Sequence, residues 1–174
     1  MKRILILLVL ALSCSFSSCE KDDICDANTP TTPRLVISFY DFTSSTLLKN
    51  VSNLRVVADG VTEPLLFNGS AVSNGSSISI PLKTDADTTT YTFTYNYGNP
   101  NPALVFIDQI VINYARNTIF VSRACGFKTV YTLSPTNPII HTAVPSTNET
   151  WMRYISVKNS NIDNENETHL EIFF

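Results

Sequence analysis

The chain is poor in charge. Asp, Glu, Lys and Arg make up 16% of its 174 residues, against about 25% in an average soluble protein. Its 12 Lys and Arg face 15 Asp and Glu and form no basic cluster, so nothing can neutralise a row of phosphates, and nucleic acid is not an expected partner. Glycine numbers only 5, which excludes a collagen-like repeat. No window of a dozen residues carries a 3.6-residue apolar period, which excludes a coiled coil. The longest apolar run, Ile4 to Leu12, falls short of the roughly 20 residues a spanning helix needs, so a multi-span helical membrane protein is excluded.

Chemistry-bearing patterns are also missing. There is no Gly-x-Ser-x-Gly elbow, no Cys-x-x-Cys and no His-x-x-x-His, the arrangements that activate a serine or hold a metal. The two histidines, His141 and His169, stand in strand-like runs away from other ligand types and read as structural or solvent-facing. Asp85-Ala86-Asp87 and Asp163-Asn164-Glu165-Asn166-Glu167 read as solvated loop acids, and they lack the glycine of a calcium loop. Asp108 interrupts two apolar runs and predicts a turn or bulge rather than a buried acid. We therefore expect no catalytic residue, no metal and no cofactor, and the chain does not read as an enzyme.

What is present begins with an address. Lys2 and Arg3 precede the apolar run Ile4 to Leu12, which gives way to serines at Ser13. This is the layout of a cleaved export signal over residues 1–18. Phe16-Ser17-Ser18-Cys19 resembles the lipobox of bacterial lipoproteins, departing from it at Phe16. That resemblance implies cleavage before Cys19 and acylation of its thiol and new amino group. Cys14 is the rival acceptor. Cysteine parity favours Cys19: a chain starting there keeps Cys25 and Cys125, which can pair, whereas one starting at Cys14 carries an orphan thiol. Glu20-Lys21-Asp22-Asp23 resembles the acidic signal that sends lipoproteins of the Bacteroidota to the cell surface. Residues 19–33, with Pro30 and Pro33 among short polar side chains, read as an extended tether.

Residues 34–174 read as a single all-β domain. Period-2 patterns occupy 34–42, 54–58, 65–67, 77–82, 90–97, one or two strands in 103–115, then 119–124, 127–133, 139–144, 151–158 and 168–174. Asp59-Gly60, Asn68-Gly69 and Asn74-Gly75 mark turns. Ten or so short strands in about 140 residues predict an antiparallel β-sandwich, immunoglobulin-like or related, with a closed barrel as the alternative. Ser, Thr and Asn, about 31% of the chain, suit its outward faces.

Two further features bear on function. Tyr91, Phe93, Tyr95 and Tyr97 recur at period 2; they either fill the interior or, with Trp151, form an exposed platform on which sugar rings stack. Asp87-Thr88-Thr89 resembles the Bacteroidota O-glycosylation motif, with Thr88 as acceptor. Taken whole, the chain is similar to a group of small Bacteroidota lipoproteins known only as a domain of unknown function. That similarity rests on Cys19 to Cys25, on Phe120-Val121-Ser122-Arg123-Ala124-Cys125-Gly126 and on His169-Leu170-Glu171-Ile172-Phe173, and it brings no catalytic residue. The expected protein is a non-catalytic lipoprotein, held in the outer membrane by its N-terminal lipid, surface-exposed or on the periplasmic face. It would meet a glycan or a protein, or serve as a structural envelope component without a small ligand.

Overall fold

The structure, a computed structural model, describes residues 24–29, 31–145 and 149–174. The expected leader, Cys14, Cys19 and the acidic segment after it lie outside the described residues. Ten strands follow in order: β1 (Leu35–Tyr40), β2 (Arg55–Ala58), β3 (Ser77–Ile80), β4 (Thr88–Tyr95), β5 (Phe106–Ser122), β6 (Gly126–Leu133), β7 (Ile139–Ala143), β8 (Tyr154–Val157), β9 (Asn161–Ile162) and β10 (Leu170–Phe173). A 3-10 turn, Pro102–Leu104, precedes β5. The chain divides into two compact units: a large one of Pro30–Ile119 and Lys128–Phe174, and a small one whose described residues are 24–29 and Phe120–Phe127.

The large unit is an all-β sandwich. One sheet runs β3-β1-β10-β8, the other β2-β4-β5-β6-β9, with β7 also paired to β5. β1 and β10 pair in parallel, Ile37 meeting Leu170 and Phe39 meeting Ile172, whereas β1–β3, β8–β10, β2–β4, β4–β5, β5–β7 and β6–β9 pair antiparallel. Strand β5 carries β4 along one stretch, Thr88 to Tyr95 against Asn113 to Phe106. It also carries β7, Ile112 against Ile139 through Asp108 against Ala143. Asn113 marks where β6 gives way to β7, because its carbonyl accepts from Ser134 and its N–H donates to Pro138.

Alternation along each strand fixes what faces inward. Leu35, Ile37 and Phe39 of β1, Tyr91 and Phe93 of β4, Ile110, Ile112 and Tyr114 of β5, and Leu170 and Ile172 of β10 are all buried in one core. A parallel partner on one side and β3 on the other make β1 a central strand, which suits its run of apolar residues. Aromatic rings close one part of this core. Trp151 stacks on Tyr95 at 5.1 Å between centroids and meets the Phe174 ring edge-on at 5.4 Å, pairings worth about 0.5–1.5 kcal/mol each beyond area burial. Elsewhere three tyrosine hydroxyls satisfy one segment's carbonyls: Tyr91 donates to Pro81, Tyr131 to Leu82 and Tyr114 to Lys83. Burial pushes all three phenols above their usual range.

Three expectations need correction. Of the one or two strands expected in 103–115 and the separate one in 119–124, the structure forms a single strand of 17 residues, Phe106–Ser122, with no turn at Asp108; Asp108 stays in register because its carboxylate finds partners in the interior, described below. Residues 65–67 form no strand and carry only an isolated bridge, Phe67 to Ser70. Asn68-Gly69 makes the expected tight turn, with φ of 51° and 83°, values open to asparagine and glycine. Asn74-Gly75 lacks positive φ; the Asn74 side chain instead accepts from the Asn53 N–H.

Candidate functional site

The aromatic row is core. Tyr91 and Phe93 are buried and face each other edge-on, and Trp151 is buried as well. Tyr95 is half-buried against Trp151. The sugar-stacking platform is therefore not formed by Tyr91, Phe93, Tyr95, Tyr97 and Trp151. The reason lies on the opposite face of β4: Thr90, Thr92 and Thr94 carry hydroxyls that lose water if turned inward, so the rings take the interior. The row also ends early. Asn96 and Gly98 adopt φ of 55° and 80°, the strand stops at Tyr95, and exposed Tyr97 lies beneath the Arg55 guanidinium.

Thr88 is exposed at the start of β4, its hydroxyl donating to the Asn113 side chain. The loop acids have local duties: Asp87 pairs with Arg116, and Glu165 accepts from the Arg34 N–H just ahead of β1. Among the described residues no three His, Cys, Asp or Glu side chains come together as a metal site.

Two buried polar groups escape a reading of spacing alone. Asp108 is 0% exposed on the inward face of β5. One carboxylate oxygen lies 2.8 Å from His141 Nε2 and accepts from the Met152 N–H at 3.0 Å, while the other has no partner among the described residues. It thus joins β5, β7 and the chain ahead of β8 through a single oxygen. The partners stand 33 and 44 residues away, so no local pattern announces them. His169 is equally buried. Its Nδ1 accepts from the Val36 N–H at 2.9 Å, its backbone N–H donates to the Val36 carbonyl, and burial pulls its pKa down from 6.5.

The small unit presents different chemistry. Cys25 and Cys125 form a disulfide with Cα atoms 4.9 Å apart and 100 residues between them in sequence. The turn that carries Cys125 is shaped by its N–H donating to the Ser122 hydroxyl and by Gly126 at φ 71°. Thr29 Oγ1 lies 3.6 Å from Cys125 Sγ. Phe120 and Phe127 flank this turn, their rings edge-to-face at 5.4 Å, yet they are 56% and 68% exposed. Ile24, adjacent to Cys25, is 84% exposed. A turn carrying bare Phe120, Phe127 and Arg123, tied by the disulfide to a segment with bare Ile24, is the most distinctive surface among the described residues.

No curated protein and no solved structure matches the chain. A family model does match, over residues 53–174, from just ahead of β2 through β10. The chain therefore belongs to the DUF6452 family, a family of unknown function.

Proposed function

We propose that the protein is a non-catalytic interaction module of the cell envelope, acylated at Cys19 and held by that lipid in the outer membrane, facing the cell surface. The observation that carries this reading is the Cys25–Cys125 disulfide. Such bonds persist in exported proteins and are rare in the cytosol. Removing Cys25 and Cys125 from the free thiols leaves Cys14 and Cys19 near the start of the chain, and only Cys19 sits against the acidic Glu20-Lys21-Asp22-Asp23 run. Two or three acyl chains hold a folded domain stably at a bilayer.

The burial of Tyr91, Phe93 and Trp151 speaks against sugar stacking at that row and favours a protein partner or a scaffold role. Intact mass of the membrane-extracted protein, with and without reductant, tests the reading. The expected result is an acylated chain beginning at Cys19 that gains about two daltons on reduction, one hydrogen per sulfur. An unacylated chain, or one beginning at Cys14 with an odd thiol, overturns it. Protease shaving of intact cells then separates the cell-surface face from the periplasmic one.

A further inference from the structure

The turn that carries the disulfide is a second membrane contact. We propose that Phe120, Phe127 and Ile24, with Arg123 between the two rings in sequence, seat on the lipid bilayer beside the anchor. This rests on the acylation of Cys19 proposed above and names the partner that the small unit's bare surface fits.

Three observations converge on it. First, Phe120 and Phe127 pack on each other yet remain more than half exposed. Phe42, with Leu47 and Leu48 in its loop, and Tyr154, with Val157 in its strand, are also exposed, but neither group lies on a cross-linked turn beside the anchor. Second, Ile24 is joined to the same unit through the neighbouring Cys25 and its bond to Cys125. The apolar side chains therefore belong to one covalently closed body, not to a free tail. Third, Cys19 precedes Cys25 by six positions. A fully extended chain of that length reaches about 20 Å at most, so once Cys19 carries its lipid the disulfide cannot leave the neighbourhood of the headgroups. Bare aromatic rings held there gain by entering the interfacial layer, where amphipathic elements lie about 5–10 Å deep. A guanidinium at Arg123 meets anionic headgroups. A protein partner would use the same rings, but it would not need them on a body tied within one short tether of the bilayer.

The test uses the full-length chain carrying Phe127→Trp, expressed so that it is processed, purified in detergent and reconstituted in vesicles of zwitterionic and anionic phospholipid. Its mass is taken first, and a circular dichroism spectrum matching the unsubstituted chain establishes the fold. The native Trp151, buried in the aromatic cluster, serves as the control in the unsubstituted chain. Seating predicts a blue-shifted emission from the indole introduced at position 127. Acyl chains brominated near the headgroup should quench that indole strongly and those brominated near the methyl end weakly, while Trp151 stays unquenched. A second measurement follows trypsin cleavage after Arg123 in the reconstituted acylated protein: Phe120→Ser with Phe127→Ser should accelerate it. Acylated protein whose introduced indole emits red and unquenched, with equal cleavage rates, overturns the membrane contact while leaving the anchor intact, and opens the surface to a protein. Protein lacking acyl mass overturns the anchor and this contact together.

Discussion

Phe93 and Phe127 are the same side chain in opposite settings. Phe93, in β4, is fully buried between the two sheets; Phe127, at the start of β6, is two-thirds exposed. The difference follows from what each strand has opposite it. Up to Tyr114, β5 alternates buried and less buried residues, because one face looks onto the other sheet; from Ala115 to Phe120 every residue is exposed. Period-2 patterning buries a side chain only where a second layer exists. Past Tyr114 the same kind of side chain stays exposed, as Phe120 and Phe127 do. The body thus reads as a self-sufficient core and the disulfide-bound turn as a site of contact.

The largest test of that contrast removes Leu170–Phe174. β10 lies between β1 and β8, Leu170 and Ile172 are fully buried, and Phe174 joins the aromatic cluster. Its loss separates β8 from β1 and opens the core. The shortened chain is expected to show no cooperative thermal transition by calorimetry. A transition near that of the intact protein would mean the first sheet does not depend on β10.

Single rings sharpen the comparison. Phe93→Ala should destabilise by about 3–5 kcal/mol, which for a chain of this size lowers Tm by roughly 6–20 °C. Phe127→Ala should stay within about 0.5 kcal/mol. Urea unfolding of both variants gives the numbers directly. Comparable losses at the two positions would show that the turn is part of the folding core and would remove its claim to be a contact surface.

Asp108 makes a subtler break. Replacing it with Ala strands the buried Met152 N–H and removes the partner of His141, at about 1–3 kcal/mol for each orphaned group. Asp108→Asn keeps an acceptor oxygen and should recover part of that loss. If Ala and Asn destabilise equally, then the hydrogen bonds through that oxygen contribute little and the site is held by packing alone.

How much of this was legible from the residues depends on range. Alternation in Arg34 to Phe42 and Thr90 to Tyr97 is local, and it located β1 and β4 and made the aromatic row a candidate for the interior. Cysteine parity pointed to the Cys25–Cys125 bond across 100 residues because a chain starting at Cys19 keeps just those two besides the acylated one. Asp108 misled because an acid amid apolar residues is normally a turn, and its partners come from β7 and from Met152, which sequence spacing does not bring together. The parallel pairing of β1 with β10 was equally invisible, being a choice of topology rather than of pattern. The exposed turn escaped for a related reason. Phe120 and Phe127 stand in strand-like apolar runs, and nothing in that local pattern tells an exposed ring from a buried one.

His169 offers the smallest effect and the clearest sign. Its neutral form accepts the Val36 N–H at Nδ1, so the proton resides on Nε2; a second proton would set two donors against each other in a buried site. Burial accordingly lowers its folded pKa from 6.5, against a smaller upward pull from Glu167, Asp163 and Glu165. The unfolded chain then takes up the proton first as pH falls. The stability contributed by neutral His169 is complete above about pH 6.5 and is lost progressively as pH drops through 6.5 toward the lowered folded value. Urea midpoints of the wild type should therefore fall between about pH 7.5 and pH 5. His169→Asn, which keeps an acceptor near Nδ1 but cannot titrate, should be flatter over that window. A variant with the same slope as the wild type would assign the acid sensitivity to another group, with Asp41 excluded because its pKa, lowered to about 2 by its hydrogen bonds from Thr43, places its loss of stability well below this range.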